Sequence, residues 1–164
     1  MENRLENFDI VRKFNIKDSE GNVISDQWYD DIDWPHEGYS EVELNGKYNF
    51  INSQGKLISE QWFDVAMHFS EGYAAIALNN KCNWIDGNGK YLNDEWFDIN
   101  NLSCFHDGFA AVQKDGKWNF VNKEGKIVSK QWLDDISLFI NGRAKVKLDD
   151  KWFYIDKNGE KIEL

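Results

Sequence analysis

A unit of about 34 residues recurs through this chain, and a fixed step of that size restricts the fold more than any single motif does. The unit is carried by Lys47-Tyr48-Asn49-Phe50-Ile51-Asn52, Lys81-Cys82-Asn83-Trp84-Ile85-Asp86, Lys117-Trp118-Asn119-Phe120-Val121-Asn122 and Lys151-Trp152-Phe153-Tyr154-Ile155-Asp156. Its lysines step by 34, 36 and 34 residues. Gly21, Gly55, Gly89, Gly125 and Gly159 keep the same step, as do Trp28, Trp62, Trp96 and Trp132. Gly38, Gly72, Gly108 and Gly142 place the two extra residues between Trp96 and Gly108, so one loop absorbs them. Such a step means a stack of similar supersecondary units, each of which covers its neighbours' apolar faces.

Within each unit the pattern is that of strands. Gly72-Tyr73-Ala74-Ala75-Ile76-Ala77-Leu78 runs into Asn79-Asn80, and Lys81 opens the next alternating run. The equivalent dipeptides are Asn45-Gly46, Asp115-Gly116 and Asp149-Asp150, pairs that tolerate positive φ and so predict hairpins. A second turn closes on Gly55, Gly89, Gly125 or Gly159, which suits a type I turn ending in the left-handed region. A short strand follows, such as Lys56-Leu57-Ile58 or Lys126-Ile127-Val128. No segment carries a long 3.6-residue apolar period, and Pro35, the one proline, sits in a connection.

The expected fold is therefore all-β. Three-stranded antiparallel units stack into one elongated, solenoid-like array rather than close into a ring, because a propeller blade has four strands. One domain covers residues 1–164. Residues 1–12 cap it, repeats span about 13–46, 47–80, 81–116 and 117–150, and 151–164 form a partial last repeat. The segment Lys13 to Ile24 reads as a degenerate first copy.

The residues Lys117-Trp118-Asn119-Phe120-Val121-Asn122-Lys123-Glu124-Gly125-Lys126 resemble the bacterial WG-repeat family, whose signature is Lys-Trp-Gly-(Phe/Tyr)-Ile-Asp-x-x-Gly-Lys. Phe69-Ser70-Glu71-Gly72-Tyr73-Ala74-Ala75 is similar to that family's Phe-Ser-Glu-Gly-Leu-Ala stretch, and Tyr29-Asp30, Phe63-Asp64 and Phe97-Asp98 match its aromatic-Asp pair. The signature glycine is replaced by Asn49, Asn83, Asn119 and Phe153, and the prolines common before the aromatic-Asp pair are missing. The resemblance covers about residues 13–164. It implies repeat modules with no catalytic residues to carry over.

Charge narrows the partners. The chain carries a formal net charge of -10, which disfavours nucleic acid and anionic membrane. Residues 1–46 hold 4 basic and 12 acidic groups, residues 47–116 hold 5 and 9, and residues 117–164 hold 10 and 8. In the first strand of each hairpin one side is Ser40-Val42-Leu44, Ala74-Ile76-Leu78, Ala110-Val112-Lys114 and Ala144-Val146-Leu148, and reads as core. The other side grades from Tyr39-Glu41-Glu43, through Tyr73-Ala75-Ala77 and Phe109-Ala111-Gln113, to Arg143-Lys145-Lys147. Two-residue turns would set Tyr48 opposite Glu43, Trp84 opposite Ala75 and Trp152 opposite Lys147. One reading is that these rings, with Trp118, pack between repeats under lysine stems. The other is a binding strip of Tyr39, Glu41, Glu43, Tyr48, Tyr73, Trp84, Phe109, Trp118, Arg143, Lys145, Lys147 and Trp152, whose acidic end takes a basic partner.

Chemistry finds little purchase. Asp30, Asp64, Asp98 and Asp134 recur two residues after a tryptophan, and one carboxylate per repeat suits acceptance of turn amides better than a catalytic pair. His36, His68 and His106 fall in equivalent loops, set apart by a unit's rise, without metal-ligand spacing. Cys82 and Cys104 occupy different repeat positions, so free thiols in a reducing compartment are expected. The N-terminal residues lack the order of a signal peptide, and no run approaches a membrane span, so a cytoplasmic location is expected. The expected function is a non-catalytic module that binds protein, with no cofactor and no metal. Alternatives are an immunity or inhibitor protein against a basic toxin, a carbohydrate-binding surface on exposed tryptophans, and a hydrolase using the recurring aspartates.

Overall fold

Four two-residue turns set the architecture. Asn45 and Gly46 lie at φ 53° and 71°, Asn79 and Asn80 at 51° and 61°, Asp115 and Gly116 at 51° and 77°, and Asp149 and Asp150 at 49° and 61°. Positive φ at both central residues is the type I′ turn, whose twist matches that of the strands it joins. In the computed structural model, which describes residues 12–163, these turns close the hairpins β2–β3 (Tyr39–Leu44, Lys47–Asn52), β5–β6 (Tyr73–Leu78, Lys81–Asp86), β8–β9 (Phe109–Lys114, Lys117–Asn122) and β11–β12 (Arg143–Leu148, Lys151–Asp156). The register is the expected one: Glu43 faces Tyr48, Ala75 faces Trp84 and Lys147 faces Trp152. The cap expected over residues 1–12 lies, apart from Arg12, outside the described residues.

The all-β repeat fold is as expected, but its third strand is not where the sequence placed it. The stretch after the second turn makes only single bridges, Ile51 to Leu57 and Val121 to Ile127, except at β13 (Lys161–Ile162). The missing strand precedes the hairpin instead, as β1 (Asp31–Ile32), β4 (Val65–Ala66) and β10 (Asp135–Ile136). The sheets β4-β5-β6-β7 and β10-β11-β12-β13, with β7 at Phe97–Asp98, accordingly have four strands. In the third unit the two extra residues form a 3-10 turn, Ile99–Asn101, where that strand would begin, and the sheet β8-β9 is left with two strands. Among the described residues no ladder joins the first unit to the last.

The aromatic-Asp segment hands one sheet to the next. Phe63 pairs with Tyr48 of the preceding hairpin, and Val65 two residues on pairs with Ala77 of the following one. This stacking buries both faces of the inner hairpins. Ala74, Ile76 and Ile85 pack backward against Phe50, Phe63 and Phe69. Ala75, Ala77 and Trp84, on the opposite face, pack forward against Ala110, Val112 and Val121. Phe109 and Phe120 in turn pack forward against Ala144, Val146 and Ile155. The small alanines on both sides of β5 let neighbouring sheets approach on both sides.

The asparagines at the signature-glycine position have a purpose that backbone angles do not explain, since none of Asn49, Asn83 and Asn119 lies at positive φ. All three are fully buried. Asn49 Nδ2 donates to the carbonyls of Ser59 (2.9 Å) and Gln61 (3.1 Å), while its Oδ1 accepts the Phe50 amide. Asn83 repeats this with Asn93 (2.9 Å), Glu95 (3.3 Å) and the Trp84 amide, and Asn119 with Ser129, Gln131 and the Phe120 amide. Asn15 does the same toward Ser25 and Gln27 in the degenerate copy. Each side chain satisfies backbone groups that the short loop cannot pair with a strand. In the last hairpin Phe153 takes the position, with the Lys161 ammonium 5.6 Å from its ring.

The second turns need glycine for space as well as for φ. Gly89 lies at φ +75°, and a Cβ there would stand 2.0 Å from the Ile58 carbonyl oxygen of the preceding unit. Replacing Asn83 by Ala leaves a buried amide and two carbonyls unpaired and should cost about 2–3 kcal/mol. Urea unfolding followed by tryptophan fluorescence measures this, and a loss within experimental error would remove the amide from its structural part.

Candidate functional site

The side of each hairpin that reads from the sequence as a possible binding strip is three different surfaces. In the middle it is core: Trp84 is 0% exposed, with its indole N–H donating to Ser103 O (2.8 Å), and Phe109 is buried against Phe139. Tyr73 is half-buried beside Phe105, and Trp118 is half-buried at the edge of the last core cluster. These four belong to the packing between units, so no continuous strip runs along the array. The two ends are different, because the first hairpin is acidic and its neighbour covers that face only in part, and among the described residues the last has no neighbour beyond it.

At the first end, Asp31, Asp33, Glu41 and Glu43 share one sheet face. β1 pairs with β2 so that Asp31 lies opposite Glu43, and Asp33 N donates to Glu41 O. Tyr48 lies opposite Glu43, and Tyr39 stacks on Phe69 of the next unit at 4.3 Å. Burial, and then the charges of Asp33, Asp31 and Glu43, push the Glu41 carboxyl up to about 7. The equivalent positions in the second unit are Val65, Met67, Ala75 and Ala77, which shows how specific the acidic cluster is to the first sheet.

At the other end the corresponding face is basic and aromatic. Arg143 lies over the Tyr154 ring (5.4 Å to centroid) and Lys145 over the Trp152 ring (5.1 Å), and Lys147 pairs with Asp150 at 2.9 Å. Trp152 is 46% exposed. A cleft of about 310 Å³ opens between Leu138, Ile140, Arg143 and Tyr154.

The recurring aspartates tie units together. Asp64 accepts the Lys47 ammonium on one oxygen and the Asn79 amide on the other, so it joins the turns of successive hairpins. Asp30, Asp98 and Asp134 repeat this with Lys13 and Asn45, Lys81 and Asp115, and Lys117 and Asp149. The lysine hydrogen bond, seconded by the turn amide, holds all four below the usual carboxylate range, opposite to what a general acid needs near neutrality. A second latch escaped the sequence reading. Glu37 accepts the amides of Glu71 and Gly72, Glu71 that of Gly108, and Asp107 that of Gly142. Its signal was present, an acidic residue before the loop glycine in three of the units.

His36 and His68, expected a unit apart, have ring centroids 4.5 Å apart, tilted by 32°, because the loops of adjacent units lie side by side. His106 Nδ1 lies 3.1 Å from Phe139 O. Among the described residues no group of three or more histidine, cysteine or acidic side chains is placed to hold a metal. Cys82 and Cys104 are free, and burial pushes the Cys82 thiol up to about 11. Among the described residues no helix is long and apolar enough to cross a membrane.

Stacked hairpins tied by lysine, carboxylate and asparagine side chains define a tandem β-repeat protein. The WG-containing repeat model matches residues 16–48, 50–82, 97–118 and 120–152, and the chain belongs to that family. No curated protein matches the sequence. Among solved structures, the chain is similar to KlHsv2 with loop 6CD replaced by a Gly-Ser linker (11% identity, TM-score 0.45, 79% of this chain and 49% of that one). It is also similar to Kluyveromyces lactis Hsv2 (12%, 0.41, 73% and 42%) and to a protein of unknown function from Bacteroides caccae (14%, 0.30, 77% and 62%). The chain spans about half the length of the Hsv2 structures.

A carboxyl raised above its unfolded value stabilises the fold while protonated, and that contribution is lost as pH rises through about 7. Glu41→Gln should therefore be more stable than the parent at pH 8 by about 1 kcal/mol, after discounting for solvent at this half-exposed site, and equal to it at about pH 4, below the ordinary glutamate value. Denaturant titrations at the two pH values measure the difference; an equal effect at both would remove Glu41 from the acidic coupling.

Proposed function

We propose that this WG-repeat protein is a non-catalytic module that binds a cationic segment of a protein partner on the acidic face of its first sheet. The observation that carries the reading is the convergence of Asp31, Asp33, Glu41 and Glu43 on one face, with burial and then the neighbouring charges holding Glu41 up to about 7. A lysine or arginine placed there relieves the repulsion and draws Glu41 into its charged form. Association then releases a proton near neutral pH, and affinity rises with pH. The same surface serves an immunity or inhibitor protein against a basic toxin, which is one form of this reading. A non-catalytic role is supported by the recurring aspartates, whose oxygens are committed to lysines and turn amides. A carbohydrate surface has less support, since Trp84 is buried and Trp118 half-buried.

A lysine-rich peptide titrated by calorimetry tests the proposal. Affinity should rise from pH 5 to pH 8 and fall at least about tenfold in the Glu41→Lys/Glu43→Lys double variant. Equal affinity in the variant and the parent would refute the acidic face as the site.

A further inference from the structure

We propose that copies of this protein associate head to tail, the Trp34 loop of one docking in the open Arg143 slot of the next. The interfaces inside the chain are the template. In each inner interface the residue opening a hairpin packs on a phenylalanine from the following unit's loop: Tyr39 on Phe69 (4.3 Å), Tyr73 on Phe105 (5.3 Å) and Phe109 on Phe139 (4.1 Å). Beside each ring, an acidic residue of the earlier unit accepts the turn amide of the later one, as Glu37 does from Gly72 (2.7 Å).

Among the described residues the last unit has the slot without the occupant. Arg143 stands where Tyr39, Tyr73 and Phe109 stand, and the cleft of about 310 Å³ beside it is walled by Leu138 and Ile140, 53% and 59% exposed. Asn141 stands where Glu37, Glu71 and Asp107 accept amides. Among the described residues the first unit has the loop without the slot. Its segment Asp33-Trp34-Pro35-His36-Glu37-Gly38 matches the loops that carry Phe69, Phe105 and Phe139, with Pro35 at the phenylalanine's place and Trp34 at the place of His68, whose ring lies 4.5 Å from His36 of the preceding unit; Trp34 is 83% exposed, more than any other large apolar side chain described.

The ends are complementary in charge and chemistry. Asp33 and Glu37 flank Trp34, whereas Arg143 and Lys145 flank the slot and make no ion pair among the described residues. On the register of the inner interfaces, Pro35 takes the ring's place against Arg143, and the Trp34 indole covers the exposed Ile140, which stands where His36 meets His68. The Gly38 amide of the docking copy meets the Asn141 side-chain oxygen. Because the two surfaces differ, the contact is heterologous and extends to chains rather than closing at a symmetric dimer.

Sedimentation velocity of the full chain tests this. The weight-average mass should rise with protein concentration up to the submillimolar range and fall as salt screens the opposed charges. Trp34→Ala removes the loop's ring, and Arg143→Glu/Lys145→Glu reverses the slot. Each should weaken association at least about tenfold. Both sets of positions are exposed, so unchanged thermal unfolding is expected and shows that folding is intact. The deciding measurement mixes the two variants: each retains the end the other lacks, so a one-to-one dimer should form that neither makes alone. A monomer at every concentration, undiminished association in Trp34→Ala, or a mixture that stays monomeric would each overturn the proposal.

Discussion

Burial of each hairpin by its neighbours is the constraint on which the rest of this structure depends. A two-stranded hairpin is marginal in water, and here neither face of an inner hairpin is left to solvent. Ala75, Ala77 and Trp84 meet the next unit, while Ala74, Ile76 and Ile85 meet the preceding one. Stability in such an array comes from nearest-neighbour interfaces, so the residues that set the spacing between units matter as much as those within them. The Lys–Asp latches, the carboxylates that accept turn amides and the close approach at Gly89 all act across that spacing.

The same constraint explains the ends. Position 82 is core because a unit follows it, and its counterpart 152 is exposed because none of the described residues does. A graded side from acid to base is therefore less a strip than two unlike termini separated by a core. The acidic sheet face takes cationic chemistry, and the basic aromatic face takes rings and anions. Their separation at opposite ends makes the molecule polar along its stack.

Much of the fold was legible in the chain. The turn dipeptides predicted two-residue hairpins, the glycine step predicted the second turns, and the recurrence predicted the register through Glu43 and Tyr48. The aspartates were rightly read as acceptors of turn amides. What stayed hidden was pairing with no local signal. Val65 and Ala66 do not alternate long enough to announce a strand, and they pair only because Phe63 has already bridged to Tyr48. The asparagines looked like substitutes for a glycine, and only their partners ten and twelve residues later show that the amide side chain is the point.

The sequence by itself determined the repeat, its hairpins and its charge gradient, because these follow from local turn chemistry and from counting. The tertiary structure decided which side of each hairpin meets solvent. That depends on the unit stacked against it, and alternation along a single strand cannot distinguish a solvent face from one covered by another sheet. Cys82 and Trp152 occupy the same place in their repeats, yet one is sealed and the other open, and only the stacking of units tells them apart.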